Sequence, residues 1–97
     1  MMSGKQKRYL RSLAVSLKPL IHLGKEGITS SVIEAIDNAL EHHELVKINL
    51  LKNFDLERDE AINIIIKESK SELIQKIGRN FLIYRENPQD RKIKLPR

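Results

Sequence analysis

Leu10, Leu13, Ala14 and Leu17 recur at the i, i+3, i+4, i+7 spacing of one helix face, while Lys5, Arg8, Arg11 and Ser12 fall around the other side. The spacing predicts a first helix with an apolar face and a basic face. Pro19 is expected to end it, because proline lacks the donor N–H and pushes the residue before it out of the α region. Leu20 to Leu23 then reads as a short strand, followed by the loop Gly24-Lys25-Glu26-Gly27. Thr29 is placed to cap a second helix, with Val32, Ile33, Ile36, Ala39 and Leu40 on one face and an end near His43. Ile28, just before the cap, is positioned to pack on Ile33 as a hydrophobic staple.

Val46, Ile48 and Leu50 alternate with Lys47, Asn49 and Leu51, the two-residue period of a strand with one core face, although Leu51 breaks the polar side. Asn53 to Asp55 supply turn and capping residues, and Asp55, Glu57, Asp59 and Glu60 suit the first turn of a third helix. Ala61, Ile62, Ile65 and Ile66 form its buried stripe, and Ile64 off that stripe predicts packing on two sides. Leu73–Ile77 and Phe81–Tyr84 are strand-like runs around Gly78-Arg79, which fits a two-residue II′ hairpin with glycine first. The order α-β-α-β-α-β-β predicts an α/β fold with a four-stranded mixed sheet packed by helices. From Glu86 onward, Pro88, Pro96 and the lack of periodicity indicate an irregular basic arm, 86–97, on a single domain spanning 1–97.

The chain carries a formal net charge of +5, and the placement of that charge is informative. Lys5, Lys7, Arg8, Arg11 and Lys18 stand at the N-terminal end without an acid among them. Arg85, Arg91, Lys92, Lys94 and Arg97 outnumber Glu86 and Asp90 at the other end, which leaves the middle mildly acidic. Two basic ends point to a polyanionic partner, set against the plainer reading that they only aid solubility. With no cysteine, disulfides, thiolate metal sites and cysteine nucleophiles are excluded. No apolar run approaches the roughly 18 residues of a spanning helix, and no apolar stretch follows the charged start, so a cytoplasmic chain without membrane insertion is expected.

The glycine loop is the sharpest chemical feature. Without Cβ atoms, Gly24 and Gly27 can take positive φ and let a ligand's backbone approach the chain. The helix behind the loop presents unpaired N–H groups and about half an elementary positive charge, a combination that receives phosphate. KH modules clamp a nucleic-acid backbone with a GXXG loop of this kind, though such a tetrapeptide is more often a plain turn. Lys5, Arg8 and Arg11 on the first helix, with Lys18 before the loop-bearing strand, would extend the positive surface. His22 could orient the loop or meet the ligand, or be a half-buried polar residue. Tyr9 and Tyr84 could stack on bases but read more simply as packing residues. In Glu41-His42-His43-Glu44 consecutive helical residues point about 100° apart, whereas helical metal ligands share one face at i, i+3 or i, i+4, so the histidines are expected to cap carbonyls and complement the helix end. No catalytic residue, metal or cofactor is implied.

Strings along nearly the whole chain resemble the YhbY-type single CRM domains, named for chloroplast RNA splicing and ribosome maturation. They are Lys5-Gln6-Lys7, Leu17-Lys18-Pro19, Leu23 to Gly27, Ala39 to Lys47, Ile77-Gly78, Ile83-Tyr84-Arg85 and Arg91 to Arg97. The resemblance implies a fold similar to the C-terminal domain of bacterial translation initiation factor three. It also implies RNA binding, association with precursor large ribosomal subunit RNA and a part in ribosome assembly, with Gly24, Lys25 and Gly27 on the RNA. Glu26 is the acid in this loop, placed to face solvent or an RNA amino group, and Asn80-Phe81 departs from the small or β-branched residues expected there. The expectation is a monomeric ribosomal RNA binder using Lys5, Arg8, Arg11, Lys18, His22, Gly24, Lys25, Glu26 and Gly27. Its rivals are a basic protein-interaction module on ribosomal particles, a general nucleic-acid binder, and a small hydrolase or transferase that lacks a convincing nucleophile and base.

Overall fold

The computed structural model describes residues 2–97. Seven elements follow in the expected order: α1 Gly4–Ala14, β1 Ile21–Leu23, α2 Ser30–His43, β2 Leu45–Leu50, α3 Arg58–Ser69, β3 Glu72–Ile77 and β4 Asn80–Tyr84. The strands form one four-stranded mixed sheet in the order β1-β2-β4-β3. β1 runs parallel to β2, while β4 is antiparallel to both β2 and β3.

Strand alternation divides the interior into two layers. Val46, Ile48, Leu50, Phe81 and Ile83 face one way and bury Ile36 and Leu40 of α2 together with Ala61, Ile62 and Ile65 of α3. Leu45, Leu82, Tyr84 and Ile74 face the other way onto Leu10 and Ala14 of α1. The α2/α3 layer is the larger and is aliphatic apart from Phe54 and Phe81. Each fully buried aliphatic side chain there contributes on the order of 1.5–3 kcal/mol. Burial and the negative charges of Glu44 and Glu86 push the Tyr84 hydroxyl up to about 12, so it packs as a neutral group through physiological pH.

Several boundaries differ from the periodicity. α1 stops at Ala14, well before Pro19, and Val15 is 86% exposed. Lys47 Nζ donates to Ala14 O at 3.1 Å and Leu17 O at 2.9 Å, so a cation from β2 satisfies carbonyls at the helix end and replaces a further turn. Leu20 lies before β1 yet already donates its N–H to Lys47 O. α3 begins only at Arg58, its cap residue Glu57 makes no side-chain cap bond, and Asp55 and Glu57 stay outside the helix. Phe54 must first enter the core, which the turn Phe54 N to Leu51 O allows. Ile64 is 39% exposed, so α3 packs on one side and not two. Leu51 lies just beyond β2, which resolves the break in alternation. Thr29 caps α2 as expected, its hydroxyl accepting from Val32 N at 3.1 Å. The hairpin turn carries Gly78 at φ +57 with Arg79 outside the positive-φ region, as a II′ turn requires.

Residues 86–97 contain no helix or strand, yet they are docked. Glu44, at 0% exposure and φ +62, ends α2 and accepts N–H bonds from Asn87 (2.7 Å), Lys92 (2.7 Å) and Ile93 (2.8 Å). Ile93 and Leu95 pack on the α1 layer, and Gln6 Nε2 and Lys5 Nζ donate to the carbonyls of Pro96 and Arg97. A buried carboxylate is stable only when such donors surround it. Replacing it by Glu44→Ala should lower stability by about 2–3 kcal/mol, the scale of a lost hydrogen bond to a charged group. Amide hydrogen exchange checks the cause. The amides of Asn87, Lys92 and Ile93 should lose protection while those of β2 and β4 keep theirs, and retained protection in the arm would refute the anchor.

Candidate functional site

Because β1 and β2 are parallel, the connections leaving both strands emerge at the same end of the sheet, and the β3–β4 turn joins them there. Hydrogen bonds bind the three together. Leu51 N donates to Leu23 O, and Leu50 N donates to Arg79 O, each at 2.8 Å. Arg79 returns its guanidinium to Leu50 O at 2.8 Å and Leu51 O at 2.6 Å. Nothing in the sequence pattern marked Arg79 for this; its turn position was legible, its reach across to β2 was not.

On this end sits the glycine loop. Gly27 N donates to Gly24 O at 3.0 Å, closing a tight turn with Lys25 and Glu26 exposed at its tip. The two glycines serve different needs. Gly27 adopts φ +76 with open space where a Cβ would stand, so its role is conformational. Gly24 does not take positive φ; a Cβ there would lie 3.2 Å from Asn53 Oδ1 and 3.3 Å from Leu51 Cδ1, so its role is close packing against the β2–α3 connection. Behind the turn, Thr29 satisfies one N–H of α2, whose first turn holds no acidic residue to cancel its positive end.

The sequence-derived candidates divide between two regions. His22, Gly24, Lys25, Glu26 and Gly27 are consecutive or nearly so at the loop end, and Lys18 lies exposed on the connection entering β1. Lys5 belongs to the opposite end, where its ammonium bonds Arg97 O beside the C-terminal arm. Arg8 lies against Gly4 near the start of α1, and Arg11 is half-buried in its last turn. α1 packs on the opposite sheet face from α2, so its cations do not share a layer with the loop. The two ends are separated by the length of β2, five residue steps of about 3.3 Å, or roughly 16 Å.

Ion pairing is also uneven. Arg58, Lys76, Arg85, Arg91 and Lys92 are all paired with carboxylates, whereas Lys5, Arg8, Arg11, Lys18 and Lys25 make no ion pair among the described residues. Lys52, which the sequence reading passed over, is a further exposed cation at the loop end. Tyr84 is only 5% exposed and cannot stack on a ligand, while Tyr9 is 38% exposed. His42 Nδ1 lies 2.7 Å from Asn38 O as a helix-end contact. Among the described residues, no group of three or more His, Cys, Asp or Glu side chains is placed to hold a metal ion.

Known proteins of similar sequence and shape give the arrangement a context. The chain is 38% identical to the probable RNA-binding protein YqeI of Bacillus subtilis, over 99% of this chain and 100% of that one. It is 40% identical to an RNA-binding protein of Haemophilus influenzae, over 99% and 96% of the two chains. The solution structure of hypothetical protein SAV1595 from Staphylococcus aureus superposes with a TM-score of 0.80 at 43% identity, covering 99% of this chain and 100% of that one. The family model of the CRS1 / YhbY (CRM) domain matches residues 2–85, which include the glycine turn and every strand that positions it. The chain belongs to the CRS1 / YhbY (CRM) domain family.

Proposed function

We propose that this protein binds RNA without catalysing a reaction, and that its partner is precursor large ribosomal subunit RNA during ribosome assembly. The observation that carries the reading is the exposed Gly24–Gly27 turn, held open by Gly27 at φ +76 on the positive end of α2. Relatives named as RNA-binding proteins over nearly their full length support it, as do Lys25 at the tip of the turn and Lys18 on the connection entering β1, which make no ion pair among the described residues. The backbone N–H groups and cations meet phosphate, a mode that grips RNA by its backbone and shape. Arg11 and Arg8 add longer-range attraction from the other face, and Lys5 acts with the arm. Glu26, exposed at the tip of the turn, meets solvent or an RNA amino group and not phosphate. The protein works as a monomer in the cytoplasm.

Three results test this. Gly27→Leu places a branched side chain at positive φ, which should cost about 1–2 kcal/mol of stability without unfolding the domain. Its affinity for RNA should fall at least tenfold, and unchanged binding would remove the turn from the site. If about four phosphates are neutralised, log affinity should fall against log salt with a slope of roughly −3, at about −0.7 per single-strand contact. A flat response would contradict the electrostatic contact. In-cell crosslinking should recover precursor large-subunit RNA above its abundance. Recovery in proportion to abundance would leave only general cation binding, and ribosomal association that survives nuclease would favour a protein partner.

A further inference from the structure

The strand registers set four side chains in one row across the sheet. His22 is the partner of Asn49, Asn49 is the partner of Asn80, and Asn80 is the partner of Ile77. Alternation puts this row on the α1 face, because Ile21, Leu23, Ile48, Leu50 and Phe81, the neighbours of these residues, all pack in the α2/α3 layer. α1 covers Leu45, Tyr84 and Leu82 in the rows before it and ends over Lys47. The His22 row comes next and is open: His22 is exposed, Ile77 is 49% exposed, and Asn49 and Asn80 are half-buried. Its first member stands two residues before Gly24.

Its chemistry differs from that of the turn. An imidazole and two amides each offer a donor and an acceptor, the combination that matches the edges of bases. Asn49 Nδ2 lies 3.2 Å from His22 Nδ1, so the amide and the imidazole are held side by side on neighbouring strands. Asn80 Oδ1 is shielded from solvent and has no hydrogen-bond partner among the described residues. Its desolvation is already incurred without a compensating hydrogen bond. Arg79, immediately before it, ties the strand end to β2, so the row is held on a rigid support.

Resting on the RNA-binding reading above, we propose that His22, Asn49 and Asn80 form the base-reading part of the interface. The glycine turn holds the sugar-phosphate backbone, and unstacked bases next to it lie across the row, with Ile77 as an apolar floor at the far end. Single-stranded RNA can present its Watson–Crick edges in this way, whereas in a paired helix those edges are occupied. The row is about 14 Å long at about 4.8 Å per strand spacing, longer than one base.

Anisotropy titrations of the full chain with short single-stranded homopolymers of A, C and U test the assignment. The wild type should prefer one base by about tenfold, the scale of a good amide-to-base contact. Asn49→Ala and Asn80→Ala should bring the three affinities to within about twofold of one another and leave the salt slope unchanged. Lys25→Ala should do the reverse, weakening all three equally and flattening the slope. The uncharged variants Asn49→Ser and Asn80→Ser, with thermal melts, take the place of any alanine variant that fails to fold. Equal wild-type binding to all three, or a preference that survives in every row variant, overturns base reading while RNA binding stands. Failure of the wild type to bind any RNA sinks both.

Discussion

The parallel pairing of β1 with β2 is the constraint on which the rest depends. Only that pairing sends the glycine turn and the β2–α3 connection out of the sheet on the same side, and only the insertion of β4 between β2 and β3 brings the hairpin turn to meet them. The bonds from Leu51 N to Leu23 O and from Arg79 to Leu50 O and Leu51 O then fix three otherwise separate segments into one surface. Three-residue β1 is a short strand to carry that load. It is held because Ile21 and Leu23 both face the larger core and Leu20 adds a bond to Lys47 O.

The other end of the sheet uses related chemistry in reverse. There the protein supplies its own anion, Glu44, and its own backbone donors from residues 87, 92 and 93 receive it. This internal match converts a proline-containing tail without regular structure into a packed strap over α1. It also explains why Lys5 sits far from the turn: the first turn of α1 is joined to that strap through Lys5 and Gln6. Cations close in sequence to one another are thereby shared out between two ends of a small domain, and net charge alone could not reveal the division.

Much of the fold was readable from the chain because local rules and burial agreed. The period of Val46, Ile48 and Leu50, the Thr29 cap and the glycine-led hairpin turn each had one physical solution, and the structure adopts it. The misreadings arose where a distant residue intervened. Lys47 from β2 satisfies the end of α1, so Pro19 has no helix to break. Phe54 needs the core, so the turn near Asn53 delays α3 to Arg58. Likewise the glycine loop was visible as a motif, but its two glycines looked equivalent until Gly24 was seen against Leu51 and Asn53. The row of His22, Asn49 and Asn80 could not be seen at all in sequence, since it exists only through strand register.

Backbone amide chemical-shift mapping during titration with single-stranded RNA tests the central claim most directly. The account predicts perturbations concentrated at residues 22–29, 49–53 and 78–80, the three segments that the parallel pair gathers together. Shifts confined to residues 86–97 and the first turn of α1, with the glycine turn unmoved, would contradict it.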